Sequence, residues 1–569
     1  DSKPHIWRWR DWIVESINAD KGYDQMVMEM LAADELAPLD TNALRATGFL
    51  ARNYKMLSRE QWMEDTIKHT SQAFLGITMG CAKCHDHMTD PISQIDYYRM
   101  RAIFDPHQVR TDRLPGELDT AKNGMVRVYD TAGNRLTPLF IRGDERHPDS
   151  NRLASAGVPV ALCGATTAGA KGGRFDLEPV RLPWIANHPD WNEFVRKDLV
   201  VASERALRDA RAALAKAATN AASSPEKLFE QELTVAAAEA RERSLLATLE
   251  AERLEERQQK GSHAWVLAAI EAGRRQRELD LAEARLSQHQ AEISLTAAQK
   301  KSSDAEAVPK ADTAKPDAAA EKARKAAAEK AAKELEVTRK KSDETKKALT
   351  QAESAFQGPL KPAYRSRSNE SYPAESTGRR LAFARWVADA KNPLTARVAV
   401  NHLWLRHFNR GIVPTPADFG RGGRPPSNPQ LLDWLAAEFM SHGWSMKSIH
   451  RLIMTSSTYR MASTSDENCA RIDPDNVHLW RMPSRRLEAE AIRDNMLHIA
   501  GDLDLTMGGP DIDHALGLTS KRRSLYLRIA AEKEVEFLRI FDGPTVTECY
   551  ERRPSVMPQQ ALALANSDL

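Results

Sequence analysis

Gly80-Cys81-Ala82-Lys83-Cys84-His85-Asp86-His87 is the stretch on which the reading of this 569-residue chain turns. Two cysteines three apart, with a histidine directly after the second, form the pattern of covalent c-type haem attachment. The spacing has a chemical reason. The two thiols add across the two vinyl groups on one edge of a porphyrin, and the next imidazole then lies under the iron as proximal ligand. One haem c per chain is therefore expected, held by Cys81, Cys84 and His85. A C-x-x-C pair is also half of many zinc sites, whose other half is a second ligand pair. Here Cys163, Cys469 and Cys549 stand singly. A catalytic dithiol belongs in a thioredoxin-like βαβ pattern, and none surrounds this one.

Upstream, residues from about 5 to 75 read as helical, with Trp9, Trp12, Ile13 and Ile17 recurring at helical spacing. Ser58-Arg59-Glu60-Gln61 has the form of a capping box, and the helix it opens ends near Gly76. That helix carries His69, a candidate distal iron ligand. Downstream, Asp90-Pro91-Ile92-Ser93-Gln94 marks a turn, followed by a helix with Tyr97, Met100, Ile103 and Phe104 on one side. Met79, Met88, Met100, His87 and His107 are further candidates for the sixth position. A Met ligand raises the reduction potential and a His lowers it. Val126–Asp130 and Leu136–Ile141, joined by Thr131-Ala132-Gly133-Asn134, predict a β-hairpin. Ala168-Gly169-Ala170-Lys171-Gly172-Gly173 lacks the spacing of a phosphate-binding loop and reads as a surface loop.

Length implies several domains, at roughly 100–200 residues each. With 81 basic against 79 acidic residues, no global field argues for nucleic acid. No apolar run approaches the ~20 residues of a membrane span. Five cysteines are too few for a disulfide scaffold, although a Cys469–Cys549 bridge is a candidate pairing. Covalent haem attachment takes place outside the cytoplasmic membrane, so an exported protein, periplasmic or on the cell surface, is expected.

Composition changes sharply near residue 196. From there to 357 the chain is almost wholly Ala, Glu, Lys, Arg, Leu and Gln, the signature of long helices or coiled coil. Ser223-Ser224-Pro225-Glu226 predicts a helix start, and Leu279, Ala282, Leu286 and Ile293 follow heptad spacing. Residues 301–316 read as a flexible polar linker, after which a helix runs to Gly358-Pro359. A helix of ~35 residues spans ~50 Å, so an antiparallel arm projecting from the body is expected, a spacer or a surface for oligomerisation. From 358 the composition is globular again. Helices are predicted around Leu381–Val387, Pro393–Phe408, Leu431–Leu435, Ile449–Met454 and Arg485–Asp494, with a short strand at Leu525–Leu527. Glu488, Glu490 and Asp494, flanked by arginines, read as structural ion pairs rather than acid–base groups. The fold class is mainly α. A helical haem-bearing domain with a small β-hairpin region spans 1–195, the helical arm 196–357, and a helical C-terminal domain 358–569.

Phe74-Leu75-Gly76-Ile77-Thr78, Cys81 to His87, Asp90-Pro91-Ile92 and Asp96-Tyr97-Tyr98 together resemble the cytochrome-associated domain of planctomycete-type cytochrome c proteins. The C-terminal part resembles the partner domain of that family. The matching stretches are Asn392-Pro393-Leu394-Thr395-Ala396-Arg397, Asp418-Phe419-Gly420, Pro426-Ser427, Leu431 to Ala436, and Arg553-Pro554-Ser555 through Gln560 to Leu564. The resemblance covers roughly 5–190 and 360–569. It implies an exported protein, commonly with another cytochrome c module upstream, extending beyond both ends of the chain given. It implies no substrate, since the family has no assigned reaction.

Three functions follow from these residues. The first is electron transfer or haem-based redox chemistry, with a redox protein or upstream cytochrome module as partner. The second is an extracytoplasmic interaction scaffold in which the C-x-x-C-H site is structural. The third is a zinc or other divalent-metal hydrolase using His85, His87, Asp86 and Asp90.

Overall fold

Helical periodicity governs both ends of the chain in the computed structural model, which describes residues 3–54, 58–131, 133, 136–163, 170–220, 224–307, 318–368, 370–530, 533–544, 552 and 555–567. Two compact units form. One comprises Asp1–Leu114, Asp119–Pro189 and Ser371–Leu569; the other comprises Pro115–Leu118 and Asp190–Glu370. The N-terminal and C-terminal segments, separated in sequence by the arm, thus share one unit. The protein is mainly α, with small antiparallel strand pairs. No helix among the described residues is long and apolar enough to cross a membrane.

The first unit opens with α1 (Trp7–Asn18), α2 (Tyr23–Leu36), α3 (Arg59–Thr70) and α4 (Gln94–Phe104). Ser58 caps α3, its hydroxyl accepting the Gln61 N–H at 3.2 Å. The Gln61 amide turns to Asp65 at 3.0 Å instead of closing the expected box. After α3 the chain makes one π-turn, Ser71–Leu75, and stops at Gly76 with φ +58°. A side chain there would be strained, and its Cβ would meet Phe419 at 2.8 Å and Val398 at 2.9 Å. Ser93 caps α4 by a reciprocal exchange with Asp96, which accepts from the Ser93 N–H at 3.0 Å and its hydroxyl at 2.6 Å.

The expected hairpin does not form as drawn. Both its strands exist, but β2 (Gly124–Asp130) pairs with β1 (His107–Arg113), and β3 (Thr137–Phe140) pairs with β4 (Pro148–Ala154). Strand β1 leaves α4 directly, and pairing with it puts Val126 and Val128 into the main core. Core packing outweighs the local turn signal. The turn residues Ala132 and Asn134 lie outside the described residues. Gly172 and Gly173, both at positive φ, turn between the paired Ala170–Lys171 and Arg174–Phe175.

The main core joins Trp12, Leu31, Trp62, Ile67, Tyr98 and Phe104 to Phe383 and Trp386 of α9 (Arg379–Ala388). The first helix of the C-terminal region therefore completes the core of the N-terminal region. Beyond it, α10 (Thr395–Phe408), α11 (Pro429–Ser441) and α12 (Met446–Thr455) enclose a second core of Phe408, Phe439, Trp444 and Ile453. A third core gathers Ala489 of α13 (Ala489–Ile499) with Leu527, Val535, Phe537 and Phe541. Glu488 pairs with Arg406 at 2.7 Å and Glu490 with Arg552 at 2.5 Å. Asp494 accepts from the Ser524 N–H and hydroxyl at 2.8 and 2.6 Å. That contact holds Ser524–Tyr526 in a 3₁₀ turn, so the short strand expected there reduces to one bridge between Ile512 and Leu527.

The second unit is built of α5 (Glu193–Thr219), α6 (Pro225–Glu256), α7 (His263–Ala307) and α8 (Ala318–Gln357), each packing on the next. Ser224 rather than Ser223 caps α6, accepting from the Lys227 N–H at 3.3 Å; Ser223 lies outside the described residues. The expected linker begins as helix, because α7 runs on to Ala307; residues 308–317 lie outside the described residues. On α7 the buried positions are Ala269, Ala272, Gln276, Leu281, Gln288, Ala291, Ala298 and Ser302, whereas Leu279, Ala282, Leu286 and Ile293 are half-buried. The shift follows from α7 packing on both α6 and α8.

Candidate functional site

Gly80–Lys83 forms a 3₁₀ turn with Cys84 as its C-terminal cap. Residues three apart stand nearly eclipsed in such a turn, so Cys81 and Cys84 project on one side. Both are exposed, free thiols. The turn is pinned from beneath. Ala82 is sealed in the core. The Gln94 amide donates to the carbonyls of Lys83 and Cys84, each at 3.2 Å, and the Tyr98 hydroxyl donates to Lys83 O at 3.2 Å. The Asp86 carboxylate accepts the Gln94 N–H at 2.7 Å, which ties the loop to the start of α4. Lys83 pairs with Glu64 on α3. Gly143, at φ +77°, lies against the Cys84 sulfur, and any Cβ there would collide with it.

His85 is exposed, and its Nδ1 lies 2.7 Å from Asp86 O. A carbonyl only accepts, so the proton is on Nδ1 and the lone pair is on Nε2, which has no hydrogen-bond partner among the described residues. That is the tautomer a metal-ligating imidazole needs, held by the kind of backbone partner that orients such ligands. His87 is the opposite case. Its Nδ1 accepts the N–H groups of Thr89 at 3.3 Å and Asp90 at 3.1 Å, and Nε2 faces the Thr78 hydroxyl at 3.3 Å. Nδ1 also lies 3.7 Å from the Asp90 carboxylate. As an acceptor it carries no proton, so no ion pair forms. The one lone pair of His87 is spent on the turn that shapes the loop.

The other candidates for the sixth position scatter. Met79 and Met100 are sealed in the core. His107 is fully buried, donates from Nδ1 to Phe104 O, and packs on Trp62 with ring centroids 4.4 Å apart. Burial drives its pKa down to about 3, and it is neutral. His69 is half-buried on α3. Met88, 82 % exposed, is the one that shares the surface of the loop. For the hydrolase reading, Asp86 caps a helix and His87 caps a turn. Among the described residues no group of three or more His, Cys, Asp and Glu side chains converges as a metal site requires. Cys469 is a free thiol, and Cys549 lies outside the described residues.

Two further features escaped sequence reasoning. One is a contact from the far end of the chain. The Phe419 N–H donates to Gly76 O at 2.6 Å, and the Arg421 N–H donates to Asp90 Oδ1 at 2.6 Å. Gly420 leaves the room Asp90 occupies, since a Cβ would come within 2.7 Å of its carboxyl carbon. The other is a buried cluster in which Arg380 meets Asp34 at 2.7 Å, Asp130 at 2.9 Å and Glu35 at 3.6 Å, all four side chains at most 2 % exposed. Only the density of glycine and arginine around 378–380 and 418–424 hints at either.

Comparison with known families finds both ends. Residues 1–109 match the model of PSCyt2, a protein of unknown function (DUF1549), and residues 379–569 match that of PSD1, a protein of unknown function (DUF1553). No curated protein and no solved structure matches the chain.

Proposed function

From a chain that carries a PSCyt2 domain followed by a PSD1 domain, the pair its sequence resembles in planctomycete-type cytochrome c proteins, we propose an exported c-type haem protein working in electron transfer or haem-based redox chemistry. The observation that carries this reading is the state of three neighbouring side chains. Cys81 and Cys84 are free and on one side of a rigid turn, and His85 presents an unoccupied Nε2 beside them. Each thiol would add to one vinyl group, its sulfur bonding one carbon and its hydrogen passing to the other, with no net oxidation. His85 would hold the iron from below. When bound, the group supplies one-electron iron chemistry. The chain supplies the anchor and the imidazole orientation through Asp86 O, on a turn whose Ala82 is packed into the core beside Tyr98. The partner on this reading is a redox protein or an upstream cytochrome module, met outside the cytoplasm.

The test is visible absorption of oxidised and reduced protein, with a pyridine haemochrome assay, after expression in a host that matures c-type cytochromes. Wild type is expected to show c-type bands that survive denaturation, and Cys81→Ser/Cys84→Ser to lose them. Wild type without those bands ends the proposal.

A further inference from the structure

The loop Asp418-Phe419-Gly420-Arg421-Gly422-Gly423-Arg424 is fastened through its backbone while its two arginine side chains face outward. Its backbone N–H groups are bonded at 418–421, 423 and 424. Besides the bonds of Phe419 and Arg421 to Gly76 and Asp90, the Gly420 N–H reaches Asp418 Oδ1 at 2.9 Å. The Arg424 N–H reaches the Thr415 hydroxyl at 3.0 Å, and that hydroxyl donates to Asp418 O at 2.6 Å. Gly423 packs so closely on Asp418 O that a Cβ could not fit. Yet the side chains of Arg421 and Arg424 are exposed, and neither has a hydrogen-bond or ion-pair partner among the described residues.

Both line a groove of about 470 Å³. Its walls are apolar, with Phe419, Pro425, Pro426 and Leu432, and its charged lining is Arg397, Arg421 and Arg424 against Asp433. Arg397 and Asp433 satisfy each other at 2.6 Å. The Asp418 carboxylate is turned into its own loop. Two guanidinium groups remain, planar forks whose geometry suits carboxylate and phosphate oxygens. A preformed apolar cleft with a few convergent polar groups is the usual form of a small-molecule site.

We infer that this groove binds a small molecule with an apolar body and one oxyanion, the anion held by Arg421 and Arg424 and the body laid against Phe419, Pro425, Pro426 and Leu432. Backbone anchoring fixes where the two side chains leave the loop, and their guanidinium groups are ordered when the anion binds. The site stands on the C-terminal region's own residues and does not depend on the haem reading.

Calorimetric titration of the full chain with phenyl phosphate, inorganic phosphate and phenol tests it. Phenyl phosphate is expected to bind saturably below about 1 mM. Inorganic phosphate is expected to bind more weakly for want of the apolar body, and phenol more weakly for want of the anion. Arg421→Gln/Arg424→Gln, two exposed changes that leave the backbone bonds in place, is expected to weaken phenyl phosphate at least tenfold. Arg205→Gln/Arg208→Gln on α5 is expected to change nothing. No saturation by wild type overturns the inference. So does equal binding by the Arg421/Arg424 variant, or phenol binding as well as phenyl phosphate.

Discussion

On the side of Gly143, Cys84 has room for its sulfur and no further atom. Gly143 combines a left-handed backbone with a contact on that sulfur. Ala at this position would carry both the cost of φ +77° and a displaced cysteine, roughly 1–2 kcal/mol for the backbone alone. Gly143→Ala is expected to lower the urea midpoint and to slow alkylation of the paired thiols or reduce haem incorporation. Chemical denaturation and a thiol-reactivity time course check the two effects. His85 and His87 show how one residue type takes two roles within three positions. The hydrogen bond to Asp86 O leaves the lone pair of His85 on Nε2, while the turn at Thr89 and Asp90 takes the lone pair of His87 on Nδ1. Nothing in the string His-Asp-His distinguishes them; the backbone bonds do.

At the scale of elements, the helical arm illustrates thin packing fastened at one end. Its buried apolar residues are mostly alanines, which bury little apolar area each. The fastening is polar. Glu252, wholly buried on α6, accepts from the Arg367 N–H at 3.1 Å and from the Arg367 Nε at 2.8 Å. The Gln276 side chain on α7 exchanges bonds with the Arg365 backbone at 2.8 and 2.7 Å, and Gly273 admits Ala363 O where a Cβ would stand 2.6 Å away. Removing one partner of a buried pair leaves the other charge uncompensated. Glu252→Ala is therefore expected to destabilise this unit by about 3 kcal/mol, seen as a shift of the helical circular-dichroism melt. Glu252→Gln, which keeps the acceptor, is expected to cost less.

For the unit that joins the two ends of the chain, the decisive group is Arg380. It enters from α9 and is sealed among Asp34, Asp130 and Glu35 of the N-terminal region. Thr377 donates to Asp130, and the Leu381 N–H donates to Glu35 at 2.7 Å. Arg380→Leu leaves Asp34 and Asp130 buried without their cation. It is expected to cost 3–5 kcal/mol, on the order reported for broken buried pairs. Hydrogen exchange should then show protection falling together in α2, β2 and α9. Glu35 makes a second prediction. Burial raises its pKa from 4.5 to about 8, opposed by Arg380 and reinforced by Asp130 and Asp34. A carboxyl whose folded pKa lies above its unfolded value favours the folded state fully below pH ~4.5 and loses that contribution as pH rises to about 8. Glu35→Gln keeps the hydrogen-bonding shape without titrating. Wild type is expected to lose stability relative to Glu35→Gln as pH rises from 4.5 to 8. Paired urea titrations across that range measure it.

Read alone, the order of residues determined what depends on near neighbours. The helices, the stop at Gly76, the C-x-x-C-H spacing and the alanine-rich arm all follow from periodicities and turn chemistry within a few positions. Only the tertiary structure decided which strand pairs with which, which stripe of α7 is sealed, and which imidazole nitrogen is free. It alone decided that α9 belongs to the N-terminal core and that Arg421 meets Asp90. These contacts join residues far apart in the chain, 346 positions in the case of Arg380 with Asp34. Local preference is worth tenths of a kcal/mol per residue, whereas a buried charge or a filled core is worth several, so distant partners prevail wherever the two disagree.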